Sequence, residues 1–310
     1  MRPIEERFNA GRPITNWTIR PKFILVFEGF CTEVQYFEAL RNNRGIAGIN
    51  SLVDIVLLQR EPVDSGLSHP KVVLGLLDEY MRCVRCRGYS IDLILETAVN
   101  SVAICFGLSR ADDRIAEFRS NVRRMSSGYI GKDGFVDDVP DVLDICTEVS
   151  VGMFGSSPRF DLPDLIEFSP KVDRVCVIVD RDRDNRTPED MDDFIRHCHR
   201  MGYLPYISNP CFEIWFMMHF EAYFDVDAKT LLENPMVDGK RFTERELDRM
   251  VRDVNPSNSY DKTDFDAGMF LHRTGEAIHC SLMHCHDPNR LKREVGTNLG
   301  ELLAAMRDVR

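Results

Sequence analysis

Three aspartates, Asp180, Asp182 and Asp184, stand at alternate positions behind a run of apolar, mostly β-branched residues (VCVIVDRDRD, residues 175–184). A short apolar run bounded by charge has the pattern of a strand buried on both faces of a parallel sheet. The aspartates then fall at or just beyond its C-terminal end, the edge where open α/β sheets gather ligands and metals. Alternate residues of an extended chain point the same way, so Asp180 and Asp182 can share one cation if the extended conformation persists to Asp182. Hard divalent ions such as Mg²⁺ or Mn²⁺ take oxygen ligands of this kind, and Asp184 would be an outer ligand. A second carboxylate, Glu28, closes a similar run, FILVF (residues 23–27). A third, Glu213, sits in the nearly all-apolar CFEIWFMMHF (residues 211–220), where burying it is costly unless a cation or donor meets it. Carboxylates do not attack a phosphodiester themselves, but they can hold a metal over it, and one left free can serve as general acid or base.

The elements needed to position these groups follow from periodicity. Residues 23–27, 52–58 (LVDIVLL), 175–179 and 203–207 have the pattern of strands. After Glu28, Gly29 lets the backbone turn tightly, and Thr32 with Gln35 forms a T-x-x-Q capping box opening a helix with Val34, Phe37 and Leu40 on its apolar face. An amphipathic helix is expected over residues 69–82, giving β-α-β-α order before the acidic strand. Thr187-Pro188-Glu189-Asp190 starts a helix whose buried stripe is Met191, Phe194, Ile195, Cys198 and Met201 and which stops at Gly202. Ser208-Asn209-Pro210 breaks the next strand. Further helices are expected over residues 242–254, 264–283 and 298–306, with Lys262 in a connection from which it can reach a phosphate. The fold expected is thus a parallel α/β sheet flanked by helices, with an inserted segment and a helical C-terminal part. Its divisions are an irregular arm (residues 1–22), a first core part (23–86), an insertion (87–171), a second core part (172–225) and a helical region (226–310).

Composition narrows the class. The chain has 310 residues, 44% of them hydrophobic and 29% charged, as an ordinary globular protein does. No apolar run reaches membrane-spanning length and the first residues carry no apolar signal core, so a cytoplasmic protein without membrane contact is expected. The net charge of −11 argues against indiscriminate binding to polyphosphate, but not against a local basic cleft or binding through divalent cations. Ten cysteines in such a chain are expected as thiols. Cys83 and Cys86, and the cluster His279, Cys280, His284, Cys285 and His286, match no recognised zinc spacing, so zinc is not expected. In the insertion, Ser109 can cap a helix with Ile115, Phe118, Val122 and Met125 on one face. Arg110, Arg114, Arg119, Arg123 and Arg124 around it are most simply a solvated face.

Three blocks, EGFCTEVQYFEAL (residues 28–40), VDRDRD (179–184) and SNPCFEIWFMMHFE (208–221), together resemble the signature of the RloB-like family, which is similar to toprim proteins. EVGTNLGELL (residues 294–303) is similar to a weaker block of that family, and Lys262 is similar to the lysine of another. The resemblance implies a toprim-like fold with Glu28, Asp180 and Asp182 as the acidic signature. It further implies a Mg²⁺- or Mn²⁺-dependent nuclease of DNA or RNA, tRNA included, in bacterial anti-phage defence and controlled by an ATPase partner. On that reading Glu28, Asp180, Asp182 and Glu213 are catalytic, and Glu28, Asp180, Asp182 and Asp184 bind metal. Gly29, Thr32, Glu33, Asn209, His219 and Lys262 line the substrate or support the ligands. The chain departs from the family in its long insertion and in Phe30-Cys31, where a more polar pair is usual.

Other readings are weaker. A calcium loop fails because Asn185 and Met191 stand where glycine and glutamate belong. A D-x-D phosphatase with Asp180 as nucleophile has its motif near the start of the core, and a D-x-D glycosyltransferase leaves the block around Glu28 without a purpose. A catalytically silent toprim scaffold or sensor that docks to an ATPase would keep the same carboxylates.

Overall fold

The apolar runs become neighbouring strands. The computed structural model describes residues 2–3, 20–29, 31–59 and 70–309; most of the arm expected over residues 1–22 lies outside them, as does Phe30. The described chain divides into two compact units, one of residues 4–59 with 169–310 and one of residues 60–168 with 1–3.

In the first unit, β1 (Lys22–Phe27), β2 (Asp54–Gln59), β3 (Arg174–Asp180) and β4 (Leu204–Asn209) form a parallel sheet in the order β2-β1-β3-β4. A short β5 (Gly296–Thr297) is added antiparallel at the outer side of β4. The register sets Phe27 beside Ile178 and Ile178 beside Tyr206, so the C-terminal ends of β1, β3 and β4 form one rim. Central strands buried on both faces require continuous apolar sequence, and residues 23–27 and 175–179 are all buried. Mixed α/β architecture with a mostly parallel sheet between helices is the toprim-like arrangement expected from the sequence.

Helix α1 (Thr32–Asn42) lays Val34, Phe37 and Leu40 on one sheet face, in a core shared with Leu25, Ile178, Tyr206 and Trp215. Its start differs from expectation. Thr32 and Gln35 form no capping box; Thr32 Oγ1 donates to the Lys262 carbonyl and Gln35 Nε2 to that of Thr263, at 3.2 and 3.1 Å. Both side chains are drawn away from their own helix to tie down the Lys262 loop. In the 188–201 segment Met191, Phe194, Ile195 and Cys198 are buried as expected, whereas Met201 at its end is only part-buried. The Thr187–Asp190 capping box opens that helix, and Gly202, at φ 76°, closes it.

In the second unit, α2 (Pro70–Cys86) precedes α3 (Ile91–Phe106), α4 (Asp113–Met125) and α5 (Val139–Phe154). Helices α3, α4 and α5 share a core that includes Ile94, Val99, Phe118, Val122, Val142 and Cys146. Because this unit begins at Arg60, it takes in α2, ahead of the boundary at residue 87 expected for the insertion. The cap of α4 is Asp112, whose side chain accepts from the Arg114 amide; Ser109 lies too far upstream for that role. Met125, expected on the buried stripe, is exposed.

After β4 of the first unit come α6 (Glu213–Met217), α7 (Phe242–Val254), α8 (Thr274–Met283) and α9 (Leu299–Arg307). The helix expected over residues 264–283 is broken into Gly268–Leu271 and α8. No helix among the described residues is long and apolar enough to cross a membrane.

Candidate active site

Four predicted carboxylates and the predicted lysine border one cleft. Glu28, Asp180, Asp182, Asp184 and Lys262 line a cavity of about 220 Å³, together with Arg183, Arg186, Cys211, Asn234 and Arg241. Glu28 follows β1, and its amide donates to the Ile178 carbonyl of β3 at 3.2 Å, which carries the strand pairing one residue past Phe27. Asp180 ends β3.

The extended chain does not continue to Asp182. At φ 37° Asp182 takes a left-handed turn, closed by Asn185, whose amide and side chain donate to the Asp182 carbonyl and Oδ2 at 3.1 and 2.8 Å. Asp180 and Asp182 therefore reach the same cleft through a tight turn rather than through strand alternation. The turn carries Asp184 outward, where it accepts from Arg241 at 2.6 Å with its side chain 61% exposed.

The guanidinium of Arg186, a residue not singled out from the sequence, is almost wholly buried and joins two strand ends. It forms an ion pair with Glu28 Oε1 and donates to the Asp180 carbonyl. Burial pulls its pKa down to about 10, still well above neutral, so Glu28 faces a fixed positive charge.

Next to this rim lies a second group of acids. Glu213, 2% exposed at the start of α6, accepts on Oε1 from Tyr260 Oη at 3.1 Å and Lys262 Nζ at 3.2 Å. Lys262 also contacts Glu244 at 2.9 Å. Burial opposes its charge, but Glu213 and Glu244 outweigh that and hold the ammonium protonated well above its usual range. Burial, aided by Glu213, pushes Glu33 up to about 7, against hydrogen bonds from the backbone at Glu33 and Gly29. Asp180 is raised as well, by burial and then by Glu33 and Glu213. Glu33 folds back over Gly29, where a Cβ would collide with its carboxylate, so the glycine serves this close approach.

Two predicted residues lie elsewhere. Asn209 is fully buried and donates to the Leu291 and Glu294 carbonyls at 2.7 and 2.9 Å, fastening the segment that leads into β5. His219 sits in an aromatic nest of Trp215, Phe270 and Tyr36, its Nδ1 2.9 Å from the Trp215 carbonyl. Burial pushes its pKa down to about 3, so the ring is neutral.

Among the described residues no three His, Cys, Asp or Glu side chains stand together as a metal-ligating group; of the rim acids, Glu28 and Asp184 are each paired with an arginine. The donor chemistry nevertheless suits a hard divalent ion. The cleft offers several carboxylate oxygens, and Asp180 is crowded by Glu33, Glu213 and Asp182, an excess of negative potential that a cation relieves. All ten cysteines are free thiols; Cys83 bonds to Ser90, and Cys280 and His284 contact each other.

The fold and cleft define an α/β protein with an acidic rim at the C-terminal edge of a parallel sheet. The chain belongs to the RloB-like family, whose model matches residues 23–306. No curated protein and no solved structure matches it.

Proposed function

We propose that the chain is a metal-dependent phosphodiesterase acting on DNA or RNA. The observation that carries this reading is the convergence of Glu28, Asp180 and Asp182, far apart in the chain, on one cleft together with Lys262. Asp180 and Asp182 are the residues to hold Mg²⁺ or Mn²⁺, with Glu28 beside them. The ion supplies charge neutralisation at the phosphoryl group and a lowered pKa for bound water. Glu28, paired with Arg186, is the candidate proton acceptor. The Lys262 ammonium, fixed by Glu213 and Glu244, faces the cleft and opposes negative charge building on the phosphate. Family membership extends the reading to anti-phage defence under an ATPase partner.

The test is cleavage of single- and double-stranded DNA, tRNA and total RNA with Mg²⁺ or Mn²⁺. Wild-type protein should cut at least one of them; Asp180→Ala and Glu28→Gln should each lose about a hundredfold or more, as removal of a charge-stabilising group does. Cleavage at wild-type rate by both variants would remove these roles. Plaque counts on cells carrying wild type or Asp180→Ala test the defence part: protection should vanish with the aspartate.

The pairing of Glu28 with Arg186 and of Asp184 with Arg241 favours one other reading, a silent scaffold whose rim is occupied by its own arginines. Metal binding without turnover on any of these substrates would decide for it.

A further inference from the structure

Asp184 and Arg241 have a feature that metal binding does not use. Asp184 belongs to the D-x-D-x-D run, yet the turn at Asp182 directs it to Arg241 rather than to Asp180. Arg241 is anchored again by the Asn234 carbonyl at 3.1 Å, and its side chain remains 35% exposed on the cleft. Arg183, also lining the cleft, is held by the Leu232 carbonyl at 3.3 Å. Arg241 is held through both terminal nitrogens and Arg183 through one, and each keeps further N–H donors of a planar fork that matches phosphate oxygens.

We infer that Arg183 and Arg241 form a clamp for the phosphodiester backbone of a nucleic-acid strand, with Asp184 as the anchor of Arg241 rather than a metal ligand. This rests on the nuclease reading and names how its substrate is held. A chain of net charge −11 with a carboxylate rim repels a polyanion, so a strand approaching the cleft requires local positive charge. The other cations of the cleft are committed. Arg186 is buried on Glu28, and Lys262 is shared by Glu213 and Glu244. The Asp184–Arg241 pair, by contrast, is exposed, and exposed pairs are weak enough for a phosphate to displace the carboxylate at little cost. Until then Asp184 keeps the arginine side chain ordered, which lowers the entropy lost on binding.

The experiment measures binding without cleavage. Fluorescein-labelled single-stranded DNA and RNA of one sequence are titrated with the full chain in EDTA across a series of salt concentrations, by anisotropy. Arg241→Gln and Arg183→Gln should each weaken binding about tenfold, and each should flatten the slope of log affinity against log salt by about 0.7, one phosphate contact on a single strand. Arg119→Gln, at an arginine of the helical unit paired with Glu96, should bind as wild type. Asp184→Asn, which frees Arg241, should keep the wild-type affinity for Mn²⁺ in titration calorimetry, whereas Asp180→Ala should lose it. The DNA and RNA arms tell which backbone is held.

Unchanged affinity and slope in Arg241→Gln overturns the clamp, as does an equal loss in Arg119→Gln. An Mn²⁺ affinity lost in Asp184→Asn as it is in Asp180→Ala overturns the anchor role. Thermal melts of each variant separate lost contacts from lost folding, and Arg241→Lys, which keeps the charge, should recover the salt slope but not the full affinity. Because binding is read without metal, absence of cleavage by wild type would sink the nuclease reading and leave the clamp to be judged by these titrations.

Discussion

Single side chains in this protein show function set against stability. Asp180 is buried among Glu33 and Glu213, which raises its proton affinity. An acid whose folded pKa exceeds its unfolded value costs stability as pH rises past the unfolded value. Asp180→Asn should therefore raise the stability of the metal-free protein, more at pH 8 than at pH 5. Urea midpoints at the two pH values check this. His219 works in the opposite direction. Its folded pKa of about 3 lies below the ordinary 6.5, so between these values the unfolded chain takes up a proton that the folded chain refuses. Stability contributed by the neutral ring is complete above pH 6.5 and is lost as pH falls. Relative to His219→Gln, the wild type should lose about 2 kcal/mol between pH 7 and pH 5, at about 1.4 kcal/mol per unit. Glu28 and Asp180 were legible because each ends an apolar run. Arg186 was not, since nothing local announces a pairing with Glu28 across 158 positions. Tyr260, Glu244 and Arg241 were missed for the same reason.

At the scale of elements, strands were easier to place than helix ends. Residues 23–27 and 175–179 fall inside β1 and β3 because a doubly buried strand admits only apolar residues. The opening of α1 was misjudged because tertiary acceptors at Lys262 and Thr263 outbid the local capping box. Helices α3 and α5 were not anticipated within the long insertion. The block EVGTNLGELL, read only as a family feature, has a mechanical purpose. Asn298 accepts from the Ile207 amide at 2.7 Å and donates to the Pro205 carbonyl at 2.9 Å, replacing a strand partner along β4. Thr297 and Ser208 join their hydroxyls alongside. At Gly300 a Cβ would run into Ser281, so α9 lies close against α8. Asn298→Ala strands two buried backbone groups and should cost about 2–4 kcal/mol in denaturant unfolding, with the larger part from the orphaned Ile207 amide.

For the whole molecule, charge is arranged by unit. The arginines of the 60–168 unit resemble a basic face in sequence, but Arg110 and Arg119 meet Glu96, Arg123 meets Asp92 and Arg114 meets Asp112. Such a surface is largely neutralised, as the solvated-face reading expects, and cationic groups with spare donors lie at the cleft of the other unit instead. Metal binding there should couple to global stability. Mg²⁺ at a hundred times its dissociation constant should stabilise the wild type by about 2.7 kcal/mol, and Asp180→Ala by far less, in thermal or urea unfolding. The Asn298 clamp has a further consequence during synthesis. The Ile207 amide waits for a side chain 91 positions downstream. At about 5–20 residues per second, a ribosome leaves that border of the nascent sheet open for about 5–20 s. An exposed strand border invites pairing with other chains, so translation speed and chaperone access over this interval bear directly on how much protein reaches its finished form.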